Sequence, residues 1–143
     1  MRDFPELDFW HSHRISYGET DAMGVVYYAN YLHLFERVRS EFIRSRGLSY
    51  SEVEERGVYL PVREASCRYR SPLHYDELAW LRIGISAWTR ASVTFVYEIY
   101  NRNKDRLHAT GNTQHAIINA DLKPVAAPDW FRKLFMPGGV TTP

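Results

Sequence analysis

Only one stretch of this chain carries helical periodicity over several turns, and almost everything after it alternates. From Tyr31 the apolar residues Tyr31, Leu34, Phe35, Val38 and Phe42 recur three or four apart, which places them on one face of an α-helix. Glu36, Arg37, Arg39, Ser40 and Arg44 fall on the opposite face. The basic run Arg44-Ser45-Arg46 suits the negative end of the helix dipole, and Gly47 accepts the left-handed conformation that ends a helix. The spacing predicts a helix over Ala29 to Arg46. A chain with a single long helix must use it to cover the apolar face of whatever sheet the remainder builds.

The remainder reads as strands. Phe9 to Tyr17 alternates, with His11 and His13 on one face, and suits a first strand after a loose arm over residues 1 to 8. No third ligand at a recognisable spacing joins the two histidines, so they read as sheet residues in preference to a metal pair. Ser51 with Glu54 matches a capping box and predicts a short helix to about Arg56, stopped by Gly57. Val58 to Arg70 has no strongly apolar face, and Ser71-Pro72 ends it because proline cannot continue a sheet ladder. Leu78 to Trp88, Ser92 to Tyr100 and Leu107 to Ile118 alternate and are joined by short turn-rich links, which implies an antiparallel meander. Leu122 to Ala127 is expected to pair briefly, Pro128 to Phe135 to form a terminal helical turn, and Gly138, Gly139 and the last residues to fray. One long helix plus about five strands is an α+β pattern in which the sheet curls around the helix.

The segment before the helix carries the chemistry. Gly18-Glu19-Thr20-Asp21-Ala22-Met23-Gly24 reads as a sharply turning loop, and Val25, Val26, Tyr27 and Tyr28 lead from it into the helix. The carboxylate of Asp21 therefore precedes helical N–H groups that lack intrahelical acceptors and carry partial positive charge. Such groups bind an anion or polarise a carbonyl. A carboxylate beside them is half of an acyl-transfer site; the plainer role of Asp21 is to cap its own turn.

Size and charge narrow the partners. A chain of 143 residues is expected to form one domain, with a core over about residues 9 to 135. A net charge of +1 gives no support for nucleic-acid binding. No apolar run reaches signal-peptide or membrane-span length, so a cytoplasmic location without a membrane span is expected. Cys67 is the only cysteine, which leaves no internal disulfide and no cysteine-based zinc site.

Thr20-Asp21-Ala22-Met23-Gly24-Val25-Val26-Tyr27-Tyr28-Ala29-Asn30-Tyr31-Leu32, with Phe35-Glu36-Arg37 behind it, resembles the signature of hotdog-fold acyl-CoA thioesterases of the 4-hydroxybenzoyl-CoA thioesterase type, which include the Tol-Pal-associated thioesterases. Glu64-Ala65-Ser66, Tyr69, Ser71-Pro72-Leu73, Tyr75-Asp76-Glu77-Leu78, Ser92 with Phe95 and Tyr97, and Ala109-Thr110-Gly111 before His115 resemble the later strands of the family. At residue 28 the Tol-Pal-associated members carry histidine and this chain carries tyrosine. The resemblance implies a helix wrapped by a sheet, homodimers that join their sheets edge to edge with the acyl-CoA site at the interface, and tetramers built from them.

The same resemblance implies that Asp21 is the nucleophile or general base and that the backbone N–H of Tyr28 polarises the carbonyl. Coenzyme A is then part of the substrate, and no separate cofactor or metal is expected. The acyl pocket is expected from Val25, Val26, Tyr27 and Tyr31. Glu64 is expected at the pocket or interface. Arg90, with Arg68 and Arg70 behind it, is expected at the coenzyme A phosphates. Glu36 is a rival carboxylate whose polar face suits a surface ion pair better. Asn30 reads as a helix cap or a loop anchor, and His33 and His115 have no partner in the sequence. An acyl carrier protein as donor, or a non-catalytic acyl-thioester-binding protein, is the alternative. A hydratase would need a histidine in the loop, and residues 18 to 28 contain none.

Overall fold

Leu78–Thr89 (β3), Ser92–Tyr100 (β4) and Leu107–Ala116 (β5) form the expected meander, and the computed structural model describes residues 3–137. Thr89 pairs with Ser92 across the tight turn at Arg90 and Ala91. The next turn is tied by the Asn101 side-chain oxygen, which accepts the N–H groups of Asp105 (3.0 Å) and Arg106 (2.9 Å). Asp8–Arg14 (β1) pairs antiparallel with β3, and Val62–Tyr69 (β2) pairs antiparallel with β5, giving one five-stranded sheet in the order β1-β3-β4-β5-β2. β1 is shorter than its alternation predicts. Past Arg14 the backbone N–H of Ser16 donates to the Glu19 carboxylate at 2.7 Å, and Tyr17–Glu19 turns into a short 3-10 segment.

The long helix Asn30–Ser45 (α1) lies on one face of this sheet and buries Tyr31, Leu34, Phe35, Val38, Phe42 and Ile43. Phe35 stacks on Tyr97 of β4, with centroids 4.3 Å apart and planes 9° apart. Gly111 lies in register with both Tyr97 and Cys67, directly beneath that stack. A Cβ on Gly111 would meet the Phe35 ring and sit 2.5 Å from the Ser66 carbonyl oxygen. Glycine is therefore required there for close approach of helix and sheet.

Arg39 corrects the two-faced reading of the helix. Although its spacing puts it among the polar residues, it is buried, because its guanidinium reaches inward to donate to the Tyr97 hydroxyl at 3.0 Å. A directional chain continues from there. The Leu60 carbonyl can only accept, so His115 Nδ1 carries the proton that bridges 2.8 Å to it. His115 Nε2 then accepts from the Thr113 hydroxyl (2.8 Å), and Thr113 accepts from Tyr97 (2.6 Å). This is the partner set that the sequence left open for His115. Burial is the main reason its pKa falls to about 4.

Smaller differences have local causes. The capping box is Ser49 with Glu52, not Ser51 with Glu54, and it starts the helix Tyr50–Glu55 (α2). The strand expected from Val58 starts only at Val62; before it, Tyr59 pairs singly with Ile118. The expected loose arm is docked along the described residues 3 to 7. Phe4 lies under the Arg82 guanidinium (3.9 Å), Pro5 packs over Gly84, and Asp8 binds Arg82 at 2.8 Å. Val125 pairs with Ile117, and Asp129–Leu134 (α3) closes the fold through Phe131 and Leu134. Gly138, Gly139 and the residues after them lie outside the described residues. No helix among the described residues is long and apolar enough to cross a membrane.

Gly111→Ala should cost about 2–3 kcal/mol, since backbone and ring must both shift, and urea denaturation of the two proteins measures it. His115 gives a pH signature of definite sign. Its folded-state pKa is depressed, so its contribution is complete above pH 6.5 and is lost as pH falls toward about 4. Roughly 3 kcal/mol of stability should disappear over that window from this group, read from urea midpoints at successive pH values.

Candidate active site

The Asp21 loop is held in place by its own backbone. Asp21 Oδ1 accepts the Met23 N–H at 2.8 Å, the Asp21 carbonyl accepts the Gly24 N–H at 3.0 Å, and its N–H donates to the Val25 carbonyl at 2.9 Å. Gly24 closes this turn at φ +78°. Next the chain joins the link between β2 and β3: the Val26 N–H donates to Leu73 (2.8 Å) and the Tyr75 N–H to Gly24 (3.0 Å). Glu19 anchors the other side. Its carbonyl accepts the Tyr27 N–H (3.0 Å) and the Asn30 side-chain amide (2.9 Å), so Asn30 anchors the loop, while Ala29 occupies the cap position. The Glu19 carboxylate is held below its ordinary pKa: burial opposes ionisation, but the Ser16 N–H and the His13 ring, 2.9 Å away, outweigh it.

These ties do not engage the Tyr28 N–H at the start of α1. The Tyr28 carbonyl accepts both the Tyr31 N–H (3.3 Å) and the Tyr69 hydroxyl (3.0 Å). Among the described residues no acceptor takes the Tyr28 N–H. Asp21, Val25, Val26, Tyr28 and Tyr31 line one open cavity of about 370 Å3 together with Tyr69, Arg70, Ser71 and Pro72. Tyr31 and Tyr69 meet edge to face at 4.9 Å, and Tyr69 meets Tyr28 at 6.4 Å. Desolvation first, and then neighbouring Cys67, push the Tyr69 hydroxyl up to about 12, so it stays a donor. Burial likewise pushes the Cys67 thiol up, which keeps it from acting as a thiolate.

Other sequence candidates lie outside this cavity. Tyr27 is exposed, with its ring against Tyr28 at 4.7 Å. Glu36 and His33 are exposed on the solvent side of α1. Glu64 is exposed on β2 and shares the sheet face of Gln114 and Thr94, which faces away from α1. From Tyr69 it is five residues along the strand, roughly 17 Å. Arg90 is exposed in the β3–β4 turn, where Ser92 pairs with Ala116, while Tyr69 pairs with Ala109 toward the other end of β5. Of the wall from Tyr69 to Pro72, sequence reasoning reaches only Arg70, expected at the coenzyme A phosphates; Tyr69, Ser71 and Pro72 it does not place at the pocket. The wall's only local signal is the Ser71-Pro72 break, which forces the chain out of the ladder beside the Asp21 loop.

A five-stranded antiparallel sheet wrapped around one long helix, with a carboxylate loop at the start of that helix, defines the hotdog-fold thioesterases. The thioesterase-like superfamily matches residues 15–135, and the chain belongs to it, a family of thioester hydrolases. It is similar to Bacillus subtilis YneP, a candidate acyl-CoA thioesterase, with 36% identity over 121 residues, 81% of this chain and 87% of that protein. The acyl-CoA thioesterase YbgC of Haemophilus influenzae is 30% identical over 123 residues, 85% of this chain and 90% of its own. A crystal structure of a hypothetical protein from Aquifex aeolicus superposes with a TM-score of 0.84 and 31% identity, covering 90% of this chain and 99% of that one.

Gly24→Ala isolates the cost of the turn. A Cβ there meets nothing within 4 Å, so the substitution should cost about 1–2 kcal/mol from the left-handed conformation alone, measured by thermal denaturation.

Proposed function

We propose that the chain hydrolyses acyl-CoA thioesters to a carboxylic acid and free coenzyme A. The observation that carries this reading is the cavity lined by both Asp21 and Tyr28, whose N–H at the start of α1 has no acceptor among the described residues. A thioester carbonyl seated with its oxygen toward that N–H would have its developing negative charge met by a fixed donor and the positive end of the helix dipole. Asp21 then has two routes. As a general base it takes a proton from water that attacks the carbonyl; as a nucleophile it attacks directly, expels the thiolate and forms a mixed anhydride that water opens. Val25, Val26 and Tyr31 supply apolar walls for the acyl group. The Arg70 guanidinium, at the same cavity, suits the phosphates of coenzyme A better than Arg90, which lies at the distant turn.

The proposal includes a homodimer. β2 is an edge strand whose residues are almost all exposed, and an open edge of this length calls for a partner. Antiparallel self-pairing of β2 would carry the partner's Glu64 end alongside the Tyr69 end of this chain, completing the cavity at the interface. Joined sheets of this kind can pair again into a tetramer. A cytoplasmic location accords with a coenzyme A substrate.

Thiol release from short, long and aromatic acyl-CoA esters tests the reading. Asp21→Asn should lower kcat by about 10²–10⁴-fold while the oligomer and melting temperature are preserved. Tyr28→Phe should change kcat little, because the donor is a main-chain group. Folded wild type that turns over none of the esters would overturn the proposal.

A further inference from the structure

One side-chain row of β1 runs along α1 and ends at the Asp21 loop. Phe9 stacks on Phe42 in the last turns of the helix, with ring centroids 5.9 Å apart. His11, next on that face, lies among the charges of Arg37 and Glu41. His13 ends the row. Alternation alone reads it as a sheet residue, but its Nε2 lies 2.9 Å from each carboxylate oxygen of Glu19. The Glu19 carboxyl is held below its ordinary pKa, since burial opposes ionisation but the Ser16 and His13 bonds outweigh it. Both oxygens therefore accept, and His13 Nε2 carries the proton between them. Only 13% and 15% of the two side chains are exposed, so water competes poorly for this bond.

Glu19 touches both halves of the candidate site. Along the chain it stands two residues before Asp21. Across the loop its carbonyl accepts the Tyr27 N–H at 3.0 Å and the Asn30 side-chain amide at 2.9 Å, and those two residues flank Tyr28. Its own N–H donates to the Ser16 carbonyl (3.1 Å), and its carboxylate accepts the Ser16 N–H (2.7 Å). Of these ties, the bond to His13 is the one that reaches a strand of the sheet. Without it, Glu19 is held only by Ser16 and by the two groups it carries, and its peptide plane is free to tilt. The chemistry is sensitive to such a tilt. A carbonyl carbon and its oxygen are one bond apart, so the group that attacks carbon and the donor that meets oxygen must keep a fixed spacing.

We propose that His13 and Glu19 are positioning residues of the Asp21 pocket: their bond anchors the Glu19 peptide to β1 and so fixes the spacing between the Asp21 carboxylate and the Tyr28 N–H. The inference rests on the thioesterase reading, in which those two groups act on one carbonyl. Neither His13 nor Glu19 lines the cavity, so both act through the loop and not on the substrate. The apolar walls are held separately, through the bond of the Val26 N–H to Leu73. Loss of the pair therefore misaligns the reacting groups while the binding walls stay, which lowers kcat and spares KM.

Steady-state thiol release on an ester that the wild type turns over tests the pair, at a temperature well below the melting point of every variant. His13→Leu removes the donor and Glu19→Met the acceptor, and each should lower kcat about 10–10²-fold with KM within about threefold. The double variant should be no slower than the slower single one, because both changes break the same bond. His13→Gln, whose side-chain amide can replace the Nε2 donor, should recover kcat to within about threefold of wild type. A folded His13→Leu with wild-type kcat overturns the positioning role. So does a loss carried entirely by KM, a double variant whose losses add, or a loss that His13→Gln fails to relieve. Should His13→Leu fail to fold, Glu19→Met decides on kcat and KM. Inactive Asp21→Asn together with an unimpaired His13→Leu sinks the positioning role and leaves the thioesterase reading standing, whereas a fully active Asp21→Asn sinks both.

Discussion

The contact of Phe35 with Tyr97 over Gly111 sets how closely and in which register α1 lies on the sheet. A ring stack at 4.3 Å seated over a residue without a side chain fits only there, because a Cβ at that position would meet the Phe35 ring. Fixing Phe35 also fixes the turn before it. Tyr31, four residues earlier on the same face, is thereby held edge to face against Tyr69 at the exposed edge of the sheet. The pocket wall and the core are consecutive turns of one helix, so the position of the site follows from the packing of the core.

The loop before the helix is held by a second set of constraints, none of which depends on side-chain packing. Two short pairings, Thr20 with Val26 and Val25 with His74, stitch it to itself and to the β2–β3 link. Glu19 ties the loop to the helix start from the other side. The carbonyl of Tyr28 is doubly satisfied and, among the described residues, its N–H has no partner, an asymmetry that a helix end produces readily, since the first N–H groups have no intrahelical acceptor. Leaving a donor unpaired near a surface is cheap while water can reach it. The gain appears only when a ligand with developing negative charge displaces that water.

What the sequence disclosed follows the range of each interaction. The helix, the meander and the turn at Asn101 depend on neighbours within a few residues and were legible from periodicity and turn chemistry. Helical spacing puts Arg39 on the polar face, because spacing alone does not reveal that a long side chain folds inward to a buried hydroxyl on another element. Asn30 reads in sequence as a helix cap or a loop anchor, and only the path of the loop, which brings the Glu19 carbonyl to its amide, decides for the anchor. The capping box was displaced by one pair because Ser49 with Glu52 and Ser51 with Glu54 satisfy the same pattern, and only the course of the chain separates them. Apart from Arg70, the pocket wall from Tyr69 to Pro72 is illegible in sequence, since β2 is an almost wholly exposed edge strand with no apolar face to mark which side meets α1. Its closeness to Asp21 exists only once β2 has paired with β5 and Val25 with His74.

That last dependence ties the open edge of the sheet to the candidate site. Tyr69 ends the exposed strand and also donates to the Tyr28 carbonyl, so the residue that terminates the edge is the one that braces the helix start. Glu64 and Arg90, remote from Asp21 within one chain, lie toward the opposite end of the strand and of its neighbours. An antiparallel strand pair inverts such a separation: the far end of one copy meets the near end of the other. On the proposed assembly, edge pairing would therefore protect unpaired backbone groups and bring together residues that one chain keeps apart. Pairing in the opposite sense would satisfy the same backbone groups while leaving each Glu64 beside its counterpart, so the catalytic proposal constrains the direction of the interface as well as its existence.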